Sequence, residues 1–205
     1  MSHRLPNPLL SERFDRALIY ASDKHREQAR KTSNVPYIAH LLAVASIVLD
    51  AGADEDTAIG ALLHDVVEDQ GGAQLFPEIE AHFGIKVREI VAALSDSVTE
   101  KGERKAEWRA RKQAYLVTLP QHSPEARLIS LADKLHNARS IIRDLKRQGV
   151  KTFDQFEGKQ AGTLWYYSQL REIFRNKTPQ YLFEEFCEAV DEMIARAPVD
   201  EARHA

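Results

Sequence analysis

Within the segment AIGALLHDVVED (residues 58–69), His64, Asp65, Glu68 and Asp69 fall inside about one and a half helical turns. At about 100° per residue they stand at about 0°, 100°, 40° and 140° around a helix, so they share one broad face. Ile59, Leu62, Leu63, Val66 and Val67 fill the remainder. Three carboxylates and an imidazole are costly to bury on an apolar helix. A cation that organises them offsets that cost, so the pattern points to a metal site. One helix seldom supplies every ligand. His40 closes YIAH on the apolar stripe of the preceding helix, and Asp133 sits in LISLADKLHNA beside Ile129, Ala132 and Leu135. Either residue alone is compatible with an ordinary core role, as a hydrogen-bonded histidine or the anchor of a polar network. Together, two histidines and two aspartates on three helices make a plausible mixed nitrogen and oxygen site.

That ligand set favours Mn²⁺, Fe²⁺ or Zn²⁺ over Ca²⁺, which prefers oxygen alone. Four protein ligands around an octahedral ion leave positions for water or substrate, and bound water ionises near neutral pH. Glu68 and Asp69 lie one turn beyond His64 and Asp65. They can orient that water, accept its proton or protonate a leaving group. The competing reading is that they pair with Arg or Lys at the helix end.

The elements that must position these groups are helical almost throughout. Residues 11–29 put Phe14, Ala17, Leu18 and Ala21 on one face. Pro36 opens a helix over residues 37–51 with the stripe Ile38, Leu41, Leu42, Ala45, Val48 and Leu49, stopped by Gly52. Asp54 can cap a helix that carries the acidic segment to Gly71-Gly72. Short helices follow to Phe83 and over 85–94, then a polar loop at 95–104. A basic helix runs over 105–119, and Ser123-Pro124-Glu125 opens a long one that ends near Gly149. Two more span 156–175 and 179–197. Nothing alternates as a strand. The expectation is an all-α fold, a single compact bundle of about nine helices over residues 1–197, with C-terminal helices over 156–197 and a disordered tail at 198–205.

The 205 residues are 43% apolar and 29% charged, with a net charge of −3, which is ordinary for a soluble globular chain and gives no overall attraction to nucleic acid. Cys187 is the single cysteine, so no intrachain disulfide is possible and a reducing cytoplasm is the expected compartment. MSHRLPNPLL lacks the apolar run of a signal peptide. No stretch approaches the roughly 18 apolar residues of a membrane span. Nothing in the pattern specifies an oligomeric state. Basic residues gather at Lys101, Arg104, Lys105, Arg109, Arg111 and Lys112, of which Lys105, Arg109 and Lys112 share a stripe. A polyphosphate substrate needs such charge opposite it, although a solvated helix face has the same composition. Trp108, Tyr115 and Trp165 to Tyr167 read as packing residues.

His40, His64-Asp65 and Asp133 match, in order and spacing, the metal signature of the HD-domain phosphohydrolases. HREQARKTSNVPYIAH (25–40) resembles the segment H-x-x-Q-x-R-K-x-x-x-x-P-Y-x-x-H of the branch that holds the RelA/SpoT hydrolase domains and the small alarmone hydrolases. LLHDVVED, FGIKVREIVAALSD and LISLADKLHNARSI also resemble that branch, and the likeness covers residues 18–142. It implies an all-α HD bundle in which His40, His64, Asp65 and Asp133 hold Mn²⁺ and Glu68 and Asp69 work on the hydrolytic water. It implies further that Arg30 and Lys31 lie against a guanine base and that Asn137 lines the nucleotide pocket. Asp133 and Asn137, four apart on one helix, would share a face. The implied reaction removes pyrophosphate from the 3′ position of guanosine tetra- or pentaphosphate, a small-molecule nucleotide. His25 and Lys134 lie beside ligand-bearing motifs, where they can support the ligands or simply pack. Leu41 replaces the proline of many relatives, and the loop TSNV departs from the usual Ser and Gly beside the base. The same residues are compatible with a phosphatase for a nucleoside monophosphate, (p)ppApp or NADPH. A non-catalytic nucleotide-binding module is the third alternative, but such modules usually lose ligands or the Glu-Asp pair, and all six residues are present here.

Overall fold

The computed structural model describes residues 10–31, 33–95 and 106–198. Among them are ten α-helices, three short 3-10 helices and no strand; Ala29 and Pro36 form an isolated antiparallel bridge. The helices are α1 (Glu12–Lys24), α2 (Ile38–Asp50), α3 (Glu55–Leu63), α4 (Val66–Gln70), α5 (Phe76–Phe83), α6 (Ile85–Leu94), α7 (Trp108–Thr118), α8 (Pro124–Gln148), α9 (Lys159–Phe174) and α10 (Gln180–Ala195). This is the expected all-α bundle, with one helix more than about nine because the acidic segment is not continuous. It breaks at His64 and Asp65, where α3 ends and α4 begins. Of the expected tail, all but Pro198 lies outside the described residues.

Local chemistry sets the helix starts. The Ser11, Asp54 and Ser123 side chains accept from the backbone N–H groups of Arg13, Thr57 and Ala126, which otherwise have no intrahelical partner. Burial alone would raise the Asp54 carboxyl, but hydrogen bonds from Lys86 and Thr57 hold it down at about 2, so the cap stays ionised at the positive end of α3. Arg13 pairs with Glu55 at 3.0 Å and with Asp56, fastening α1 to the start of α3. The first helix stops at Lys24 rather than reaching residue 29. The chain instead turns back on itself, with Arg30 N–H donating to the Val35 carbonyl at 2.9 Å and Tyr37 N–H to the Gln28 carbonyl at 2.8 Å. Those bonds outweigh the local helical pattern and carry Arg30 back towards the entrance of α2.

Helix α8 is the shared wall of two apolar clusters. Ile129 and Ala132 face a cluster built with α1 to α3, α5 and α6, while Leu131, Leu135, Ala138, Ile141 and Leu145 face one built with α9 and α10. Each fully buried leucine or isoleucine there contributes about 1.5–3 kcal/mol. Asp133 sits on the same helix and is also buried, so the seam between the clusters carries a charge. Gly60 lets α3 approach that seam: a Cβ on it would lie 2.7 Å from Ile90 Cγ2 and 3.2 Å from Ile129 Cδ1. The close approach seats the α3 to α4 junction against α8.

Helix α7 is docked differently. The Trp108 indole lies on Gly158, just before α9, and on Gly162 within it, and a Cβ on Gly158 would stand 2.5 Å from Trp108 Cη2. Gly158 has φ −72°, a conformation open to any residue. The indole, not the backbone, therefore excludes a side chain here. Gly158→Ala is expected to lower stability by about 1–3 kcal/mol, the usual cost of overpacking, in chemical denaturation. An unchanged midpoint would show that α7 moves aside freely.

Candidate metal centre and active site

His40 lies in the first turn of α2, His64 and Asp65 at the junction of α3 and α4, and Asp133 in the middle of α8. His40 and His64 are buried, and ligand atoms of His40, His64 and Asp65 all fall within 4.8 Å of one another. Asp133 joins them: its Oδ1 is 3.2 Å from His40 Nε2 and 4.0 Å from His64 Nε2. Asp65 Oδ2 is 3.0 Å from His64 Nε2 and 3.6 Å from His40 Nε2. The four residues expected to form one centre are thus brought together from three parts of the chain.

Hydrogen bonding tests whether the centre suits a cation. His64 Nδ1 donates to the Ala61 carbonyl at 2.8 Å, which leaves its Nε2 facing Asp65. His40 Nδ1 is 2.7 Å from His136 Nδ1. The Nε2 atoms of both rings are buried without a hydrogen-bond partner among the described residues. Orphaned polar atoms are costly, and here two of them converge on two carboxylates. Burial pushes the His64 imidazole down, but Asp65 and Asp133 outweigh it and raise it to about 9. Burial would likewise raise Asp133, yet Lys134 and the two histidines hold it well below the usual carboxylate range. Asp65 is lowered in the same sense, by His64 against its own burial. A field that keeps buried Asp133 and half-buried Asp65 ionised and favours a proton on His64 also favours a divalent cation. The residues fit one.

Both candidate carboxylate ligands are hydrogen-bonded by neighbouring side chains. Tyr37 Oη donates to Asp65 Oδ2 at 2.6 Å. Asn137 Nδ2 donates to Asp133 Oδ1 and Lys134 Nζ to its Oδ2. Arg30 Nη2 donates to Asn137 Oδ1 at 2.6 Å, and its guanidinium lies 5.7 Å from the Tyr37 ring centre. Arg30, Asn137 and Asp133 therefore form one chain from the cavity wall to the ligands. Gln28 Nε2 donates to Asp69 Oδ2 at 2.7 Å, and Gln28 Oε1 is bonded by His25 Nδ1. Sequence reasoning passed over Tyr37, Gln28 and His136. Spacing offered a signal for two of them: Tyr37 and His136 each lie three residues from a ligand, His40 and Asp133 respectively.

His64, Asp65, Asp133, Tyr37 and Gln28 line one side of a cavity of about 360 Å³, with Glu68, Asp69, Arg30, Lys31 and Asn137 at its wall. Although the helix breaks at Asp65, α4 still turns Glu68 and Asp69 into the same space as His64 and Asp65. The opposite wall comes from α7 to α9. Of the expected stripe, Lys112 lines the cavity with its Nζ 5.4 Å from the Tyr166 ring centre. Arg109 does not: its guanidinium packs 3.2 Å from the Trp165 ring centre, on the outer side of α7. Lys105 lies outside the described residues. Docking Trp108 onto α9 rotates 108, 111, 112 and 115 inward instead, so Arg111 takes the place expected of Arg109 and pairs with Glu157 at 3.1 Å. Trp108 and Tyr115, read as packing residues, border the cavity as well. A larger surface cleft of about 780 Å³, between Asp54 and Pro179, contains none of the ligand residues.

Comparison with known proteins agrees with the geometry. A family model described as an HD domain matches residues 17–163. The guanosine-3′,5′-bis(diphosphate) 3′-pyrophosphohydrolase of Xenopus tropicalis is 44% identical over 132 residues, 62% of this chain and 66% of that protein. The protein of the same name from Drosophila melanogaster is 36% identical over 134 residues, covering 64% and 70%. One from Aquifex aeolicus is 36% identical over 146 residues, but the match spans only 20% of its length. A solved structure of a metazoan ortholog of SpoT, described as hydrolysing ppGpp, superposes with a TM-score of 0.71 at 28% identity, covering 93% of this chain and all of that one.

Proposed function

The chain belongs to the HD-domain family, and from that membership we propose that it is a divalent-metal-dependent hydrolase of guanosine 3′,5′-bis(diphosphate) that releases pyrophosphate from the 3′ position. The observation that carries this reading is the convergence of two orphaned imidazole nitrogens, His40 Nε2 and His64 Nε2, on Asp65 and Asp133 beside Glu68 and Asp69. The relatives named above support the choice of substrate.

His40, His64, Asp65 and Asp133 would hold the cation, with Mn²⁺ preferred and Fe²⁺ or Zn²⁺ as alternatives for a mixed nitrogen and oxygen set. Once bound, such an ion supplies Lewis acidity to phosphate oxygens and makes water a stronger acid. Glu68 accepts the proton of the attacking water, and Asp69, fixed by Gln28, orients it. The water oxygen bonds to the phosphorus attached to the ribose 3′ oxygen. The P–O bond to the ribose 3′ oxygen breaks, and that oxygen leaves with the proton that Glu68 took up. Arg30 and Lys31 face the base, and Asn137, bonded to both Arg30 and Asp133, sets its distance from the ligands. Lys112 and Arg111 offer charge to the remaining phosphates, while Arg109 braces α7 through Trp165. A cavity of about 360 Å³ lies within the range of small-molecule sites. Among the described residues, no helix is long and apolar enough to cross a membrane.

The test is a product screen with Mn²⁺ over guanosine tetraphosphate, its adenosine counterpart, nucleoside monophosphates and NADPH. Guanosine tetraphosphate is expected to yield pyrophosphate and guanosine 5′-diphosphate. Turnover of another member while the tetraphosphate stays intact would mark a different nucleotide phosphatase. A metal-replete protein inert on the whole panel would be a binding module.

A further inference from the structure

His136 stands one residue short of Asn137 and three beyond Asp133. Its Nδ1 lies 2.7 Å from His40 Nδ1, with the ring centres 4.8 Å apart and the planes tilted by 34°. Two imidazole nitrogens at that distance share one proton, so one ring donates and the other must offer a lone pair. His40 Nε2, at the other edge of the ring, is buried and has no hydrogen-bond partner among the described residues. Asp133 Oδ1 lies 3.2 Å from it and also accepts from Asn137 Nδ2. A neutral imidazole carries one N–H. If His40 kept it on Nε2, that N–H would face Asp133 Oδ1 at 3.2 Å, and Nε2 could not be a ligand. If the proton sits on Nδ1, it is satisfied by His136 and the Nε2 lone pair faces the cation. His64 shows the same logic with a different partner, its Nδ1 proton going to the Ala61 carbonyl.

We propose that His136 is a positioning residue for the metal centre: its Nδ1 accepts the His40 Nδ1–H, selects the His40 tautomer with a free Nε2 and fixes the ring angle. The assignment rests on the reading of His40 as a metal ligand. His136 itself then carries its proton on Nε2. His40 sits in the first turn of α2, where the preceding loop, not a full helical turn, supports it. His136 ties it to α8, the helix that also carries Asp133. Orienting partners of ligand histidines typically change metal affinity by about 10–100-fold when removed.

The experiment uses the full chain and two substitutions. His136→Asn can place its Oδ1 where Nδ1 was and still accept, whereas His136→Leu keeps bulk without an acceptor. Mn²⁺ affinity, measured by chelator competition, is expected to fall about 10–100-fold in His136→Leu and to stay within a few-fold of wild type in His136→Asn. A ring with a purely packing role predicts the reverse, with leucine tolerated. Nitrogen-15 NMR of the Zn²⁺-loaded wild type is expected to show the His40 proton on Nδ1. The assignment is overturned if His136→Leu binds as wild type does, if His136→Asn is as weak as His136→Leu, or if the His40 proton is on Nε2. Should the leucine variant not fold, the asparagine variant and the tautomer decide. Wild-type protein that binds neither ion would instead remove the metal reading itself, and this inference with it.

Discussion

His64→Ala is expected to abolish divalent-cation binding and to cut turnover on the order of 10³-fold or more, since several kcal/mol of charge stabilisation leave with the cation. The residue is the most committed of the four proposed ligands: buried, with Nδ1 satisfied by the Ala61 carbonyl and Nε2 facing Asp65. Tyr37, Lys134 and Asn137 already hydrogen-bond the two carboxylates, Tyr37 and Asn137 at the same oxygens that face the imidazoles. Those same hydrogen bonds limit the damage to the fold. Removing one partner of a fully buried ion pair costs about 3–5 kcal/mol. Here Asp65 keeps Tyr37 and opens partly to the cavity, so a loss of about 1–3 kcal/mol is expected. Metal content after Mn²⁺ loading and thermal unfolding with and without Mn²⁺ check both parts. Wild type is expected to gain about 2.7 kcal/mol at a hundredfold excess of free ion over its dissociation constant. His64→Ala should gain nothing. Stoichiometric Mn²⁺ in the variant would move the centre elsewhere.

The residues that converge at the candidate centre were legible from sequence because their pattern is local. A histidine and three acids within an apolar helix are anomalous wherever the helix packs, yet of the four only His64 is buried: Asp65 and Glu68 are half-buried and Asp69 is exposed, all three turned towards the cavity. The all-α architecture was legible for the related reason that the apolar period is 3.6 throughout, and Ser11, Asp54 and Ser123 each announce a helix start and are seen to cap one. What sequence could not show was decided by contacts between distant segments. The break at Asp65 lies inside a good helical pattern and accompanies the gathering of both carboxylate and imidazole at the centre. Helix α1 stops at Lys24 because the loop finds backbone partners at Val35 and Gln28. The register of α7 depends on where Trp108 finds room, and two glycines fifty residues later provide it. A one-position turn of that helix exchanges Arg109 for Arg111 at the cavity wall, a difference no composition rule could see.

Glu68→Gln is the second large effect, and it separates proton transfer from metal binding. Glu68 lies on α4 one turn beyond His64 and lines the cavity. Glutamine has the same length and keeps hydrogen-bonding capacity but cannot take a proton at neutral pH. General-base catalysis is typically worth 10²–10⁴-fold, so kcat is expected to fall by about that factor. Mn²⁺ affinity should be unchanged, because Glu68 is not among the converging ligand atoms. KM should also hold, since an interaction made only in the transition state leaves substrate binding alone. Asp69→Asn should cost less. Asp69 accepts from Gln28 through Oδ2, and an asparagine oxygen can accept the same bond, so orientation survives while charge is lost. The ordering is what matters: a large kcat loss at 68 and a smaller one at 69, both with the cation retained. The opposite ordering would make Asp69 the base and Gln28 the residue that holds it in line. A loss of Mn²⁺ in Glu68→Gln would instead place Glu68 in the metal site, leaving the base to be sought along the chain from His25 through Gln28 to Asp69.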